Sequence, residues 1–135
     1  MKLLRYGPKG QEKPGIMDAN GTVYDLSSIV PDIAGDTLTD AGLARIAAAD
    51  LTLLPKVDVE RFGPCVGNVG KFICIGLNCS DHAAESGMDV PPEPVIFAKA
   101  TSAICGPNDD VEIPRGSSAS DWEVELGVVI GREAK

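Results

Sequence analysis

Aromatic residues are scarce: one Trp, two Tyr and three Phe in 135 residues. A core must therefore rest on Ile, Val, Leu and Ala. Positive charge is also in deficit, with 12 Lys and Arg against 20 Asp and Glu and a net charge of −8. Phosphate backbones and anionic lipid would repel such a chain, so neither nucleic acid nor a membrane surface is expected as a partner. No apolar run approaches the roughly 18 residues that cross a bilayer. The opening "MKLLRYGPKGQEKPG" has positive charges but no apolar stretch after them, so no secretory signal is read there. The four cysteines, at 65, 74, 79 and 105, show no C-x-x-C spacing. They are read as reduced thiols of a cytoplasmic protein; a zinc site would have to recruit His82 and scattered cysteines. The glycines of "ERFGPCVGNVG" fit neither G-x-G-x-x-G nor the Walker pattern, which removes a phosphate cradle.

What is present is 44% hydrophobic residues, enough for a folded core of one domain or two small ones. The expected class is α+β, mainly β, with a small αβ domain over 1–68 and the start of a second domain over 69–135. "KLLRY" reads as an opening strand. "GIMDA", Asn20-Gly21 and "TVYDL" read as a hairpin closed by a type I′ turn. "TLTDAGLARIAAAD" has Leu43, Ile46 and Ala47 at helical spacing behind the caps Thr39 and Asp40. "LTLLPKVDV" reads as a returning strand and residues 60–70 as a linker. "KFICIG" follows as a buried strand, then "CSDHAAES" as a short helix capped by Asn78 or Ser80 and stopped by Gly87. "VIFAKA", "DVEIP" and "DWEVELGVVIG" read as further strands. From residue 69 on, eleven carboxylates face five Lys and Arg. "GVVIGREAK" ends the sequence directly after a strand-like run, and a longer natural chain is expected.

Two constellations carry chemistry. On a strand, successive side chains alternate faces. Trp122, Val124 and Leu126 would share one face, and Glu123 and Glu125 the other, roughly 7 Å apart. Two carboxylates side by side suit a hard divalent cation between them. The alternative is a half-exposed acidic edge strand. The second constellation is His82 with Glu85. Three residues apart on a helix, they share a side, and a carboxylate beside imidazole suits a general base near neutral pH. The bland alternative is a surface histidine and a glutamate that favours a helix N-terminus.

Together the stretches "KFICIGLNCSDHAAESGMDVPPEPVIFAKATSAICGPNDDVEIPRG" and "DWEVELGVVIGREAK" resemble the fumarylacetoacetate hydrolase family. Residues 1–68 resemble the small N-terminal domain of its bacterial members, the ureidoglycolate lyase and 2,4-diketo acid hydrolase types. The resemblance covers only the first part of a typical member. It implies the start of a mixed β-roll after the small domain. It implies Glu123 and Glu125 as ligands of Mg²⁺ (or Mn²⁺ or Ca²⁺), His82 and Glu85 as the pair that activates water, and Lys99 as a pocket lysine suited to a substrate carboxylate. Cys79 stands where many members have tyrosine. The family's third metal carboxylate and catalytic lysine come from sequence after the Glu-x-Glu strand. The implied activity is C–C cleavage of 2-oxo or 2,4-diketo acids by a metal-dependent hydrolase or lyase. The alternatives are an isomerase or decarboxylase on the same fold, or an inactive N-terminal fragment. A homodimer or higher self-association is expected, because unpaired strands expose edges and apolar faces.

Overall fold

The structure, a computed structural model, describes residues 1–133. The chain forms two compact units. One joins Met1–Asn68 to the chain from Cys105 onward, and the other is Val69–Ile104.

In the first unit a four-stranded antiparallel sheet runs in the order β1 (Lys2–Tyr6), β2 (Lys13–Met17), β3 (Val23–Asp25) and β4 (Lys56–Val57). Leu4 pairs with Gly15, Ile16 with Tyr24 and Val23 with Val57. The β2–β3 hairpin forms, but the expected two-residue turn does not. Met17 pairs with Val23, so residues 18–22 make the loop. Gly21 has a positive φ of 84° and Asn20 does not, which rules out type I′. Asp18 closes the loop instead. Its carboxylate accepts the N–H of Asn20 (2.9 Å) and of Thr22 (2.8 Å), and the Tyr24 hydroxyl (3.4 Å). One side chain that satisfies two backbone donors outweighs the local preference of Asn-Gly.

Helix α1 (Asp40–Ala47) starts at Thr39, whose hydroxyl accepts the N–H of Gly42 at 3.2 Å, as its sequence suggests. Gly42 and Ile46, one turn apart, are its buried residues. Leu43 is half-buried and Ala47, expected on the apolar stripe, is exposed. Ile46 joins Ile16, Leu26, Val30 and Ile33 in the core, with Leu3, Leu51, Leu54 and Val66 packed against it. Each such buried aliphatic side chain contributes about 1.5–3 kcal/mol of transfer free energy. The core thus sits between the sheet's β2–β3 region, the turns at 26–33 and α1.

The second unit is an antiparallel ribbon of β5 (Phe72–Gly76) and β6 (Val95–Lys99), with Cys74 opposite Phe97. Helix α2 (Ser80–Glu85) lies between them in sequence. The expected buried strand at "KFICIG" is a correction: only Cys74 is buried, while Ile73 and Ile75 are exposed. A two-stranded ribbon carries no further layer of its own to cover both faces.

The strands expected at "DVEIP" and "DWEVELGVVIG" are absent among the described residues. A strand exists through a hydrogen-bonded neighbour and a face to bury, and this stretch has neither. Trp122, Val124 and Leu126 are 82%, 88% and 91% exposed. No helix of the described residues is long and apolar enough to cross a membrane.

Candidate active site

Helix α2 is presented by a sharp junction. β5 ends at Gly76, and Leu77 adopts a left-handed φ of 50° before the helix begins. Left-handed backbone at a leucine is a strained arrangement, and it turns the chain from strand to helix within three residues. A cleft of about 250 Å³ opens here between Ile75–Asn78 and Val90–Pro94. The expected caps are corrected. The N-cap position is Cys79, without a side-chain hydrogen bond, and the Ser80 hydroxyl lies 3.4 Å from Asp81 instead. The C-terminal stop at Gly87 holds: its φ is 66°, and the N–H groups of Gly87 and Met88 donate to the carbonyls of Ala84 and Ala83. Six residues are too few for a self-supporting helix. Ala83, 1% exposed, is its buried anchor.

His82 and Glu85 are both exposed and stand one turn apart on α2. No hydrogen bond or ion pair joins them among the described residues. Lys99 closes β6 opposite Phe72 and is exposed. These three residues belong to the second unit. Glu123 and Glu125 belong to the first, in a stretch without a strand, and both are exposed. Without strand pairing, alternation along the chain no longer sets their faces. As oxygen donors the two carboxylates have the right chemistry for a hard cation. Among the described residues, however, no group of three or more His, Cys, Asp or Glu side chains is placed to hold a metal ion. Two carboxylates alone are fewer oxygen donors than such a cation takes. All four cysteines are free thiols, with Cys74 buried and the others exposed.

The strongest electrostatic feature lies in the first unit, where two arginines and three carboxylates alternate. Arg5 binds Asp32 with two nitrogens, at 2.7 and 3.1 Å, and approaches Glu12 at 3.7 Å. Arg61 bonds Glu12 at 3.0 Å and grips Asp109 with two nitrogens, at 2.7 and 2.6 Å. Arg61 and the Gly106 N–H hold the Asp109 carboxyl down, from 3.8 to about 2. Burial pushes Glu12 up, but its own N–H, Arg61 and Gly10 outweigh this and leave it lowered. Burial, reinforced by Asp25, raises the Tyr6 phenol. Sequence reasoning missed this network. Arg61 and Asp109 are 48 residues apart, and no local spacing joins them.

Residues 71–135 match the family model described as fumarylacetoacetate (FAA) hydrolase C-terminal. Over 136 aligned residues the whole chain is 68% identical to a Burkholderia ambifaria protein named "Putative hydrolase" and to a Burkholderia multivorans protein of the same name. Each alignment covers 48% of the relative, so the chain spans about half the length of these curated relatives. Among solved structures, the crystal structure of "a putative HpcE protein" from Mycobacterium smegmatis is similar. It aligns with a TM-score of 0.66 and 29% identity over 87% of this chain and 42% of that one. Residues 71–135, which take in His82, Glu85, Lys99, Glu123 and Glu125, are thus similar to the fumarylacetoacetate hydrolase family, and the fold likeness agrees.

Proposed function

We propose that these residues form the first part of a metal-dependent hydrolase or lyase that cleaves C–C bonds in 2-oxo or 2,4-diketo acids. The observation that carries this is the placement of His82 and Glu85 on one short helix, inside the segment that matches the family. Glu85 lies one turn from the imidazole, within rotamer reach, and would fix its tautomer. His82 takes a proton from water, and the resulting hydroxide attacks a substrate carbonyl carbon. The adjacent C–C bond then breaks, one fragment leaving as a carboxylic acid and the other as an enolate that takes up the proton held by His82. Lys99, on the same unit, offers an ammonium for a substrate carboxylate. Glu123 and Glu125 would hold Mg²⁺, Mn²⁺ or Ca²⁺, and a bound cation supplies Lewis-acid polarisation of substrate oxygens. The exposed run Trp122–Ile130 supports self-association as a homodimer or larger assembly. A cytoplasmic location is part of the same proposal.

A specific observation favours a second reading. The described residues gather no third ligand, and the chain spans about half of its relatives. On that reading these 135 residues bind substrate or metal incompletely and do not turn over alone.

The test uses a protein of the relatives' length that contains this sequence. Acylpyruvates, 2,4-diketo sugar acids and ureidoglycolate are offered with and without Mg²⁺. His82→Ala should lower kcat by about 10²–10⁴-fold with metal affinity unchanged. Glu123→Gln and Glu125→Gln should weaken metal affinity. Full turnover in His82→Ala excludes the imidazole as the base. Undiminished metal affinity in both glutamine variants excludes the acidic pair as ligands.

A further inference from the structure

Between Lys99 and Glu123 the chain makes one firmly held turn. The Asp109 N–H donates to the Gly106 carbonyl at 3.2 Å. The Asp109 carboxylate accepts the Gly106 N–H at 2.8 Å and both arms of the Arg61 guanidinium. Arg61 Nη1 also donates to the Gly7 carbonyl at 2.9 Å. Gly106 sits where any Cβ would collide with the Phe62 carbonyl, and Phe62 is bridged to Tyr6. The turn is therefore fastened to the sheet of residues 1–68.

Downstream, residues 110–130 form no helix or strand. The next fixed point is Gly131, pressed against the Leu38 carbonyl, beside an Arg132–Asp40 pair at 3.4 Å. Glu123 and Glu125 thus lie on a strap anchored at both ends to Met1–Asn68. The anchors are unequal. The side chains of Arg61 and Asp109 are 24% and 16% exposed, against 82% and 89% for Arg132 and Asp40. Exposed pairs hold little, and a bidentate, part-buried one holds more.

We propose that Arg61 is a positioning residue for the acidic pair: through Asp109 it fixes the point from which the strap departs, and so limits where Glu123 and Glu125 can go. Releasing that end lengthens the closed loop to the whole stretch between Asn68 and Gly131, which has more conformations. The meaning for function rests on the acidic pair being metal ligands, but the restriction itself is measured without metal.

Trp122, the only tryptophan, lies on the strap beside Glu123, and Arg115 offers trypsin an exposed site on it. The experiment uses the full 135-residue chain and reads time-resolved anisotropy of Trp122 and the rate of cleavage after Arg115. Arg61→Lys keeps the charge but loses the fork, and Asp109→Asn keeps the shape but loses the charge. Asp18→Ala is the control, lowering stability through the 18–22 loop without touching an anchor. Both anchor variants should cleave about fivefold faster and show a larger fast depolarisation of Trp122, while Asp18→Ala stays at wild-type values. Wild-type behaviour in both anchor variants, or an equal change in Asp18→Ala, overturns the proposal. Failure of the metal reading shows separately, as undiminished metal affinity in Glu123→Gln and Glu125→Gln.

Discussion

Asp109 concentrates two kinds of donor on one carboxylate, and this gives it a pH signature. Arg61 first, and then the Gly106 N–H, pull its pKa from 3.8 to about 2. A carboxyl depressed in the folded state stabilises fully above its unfolded value, and that stability is lost as pH falls through the folded value. The difference in thermal stability between wild type and Asp109→Asn should therefore be constant above about pH 4 and shrink towards pH 2; thermal melts across that range check it. A constant difference down to pH 2 would show that the Asp109 charge does not matter to stability. Legibility differs sharply among these residues. His82 and Glu85 are visible because helical spacing is a local rule. Glu123 and Glu125 are visible as an alternation, yet alternation sets faces only when a neighbouring strand holds the backbone. Arg61 with Asp109 is invisible, since only the folded chain brings residues 48 apart into one fork.

Among the elements, α1 sets propensity against packing. Gly42 is a poor helix former, and Ala in its place would gain about 1 kcal/mol from propensity alone. The backbone carbonyls of Asp36 and Thr37 occupy the space its Cβ would need. Backbone cannot swing aside as a flexible side-chain end can, so the clash dominates. Gly42→Ala should destabilise the first unit by about 1–3 kcal/mol, as overpacking does; urea unfolding measures it. A stabilised variant would show that the 35–38 turn gives way. The helix, its Thr39 cap and β1 to β3 were legible, because hydrophobic period and capping chemistry act locally. The 18–22 loop was not, because Asn-Gly hides how well Asp18 reaches two backbone donors. The strand expected at "DWEVELGVVIG" does not form, because propensity alone supplies no pairing neighbour.

For the whole molecule, long ordered stretches made the family likeness legible, while the grouping of the chain into units was not. Residues after Cys105 join the N-terminal unit through Arg61, Phe62 and Leu38, a return that no composition shift announces. Cys74 gives the second unit a clock of its own. Three of the four thiols are open to an alkylating reagent, and this one is buried on β5. Mass spectrometry should find Cys65, Cys79 and Cys105 modified at once and Cys74 only at the rate at which the ribbon opens. A slow fourth label whose rate is unchanged by Gly42→Ala would record the ribbon opening independently of the sheet of residues 1–68.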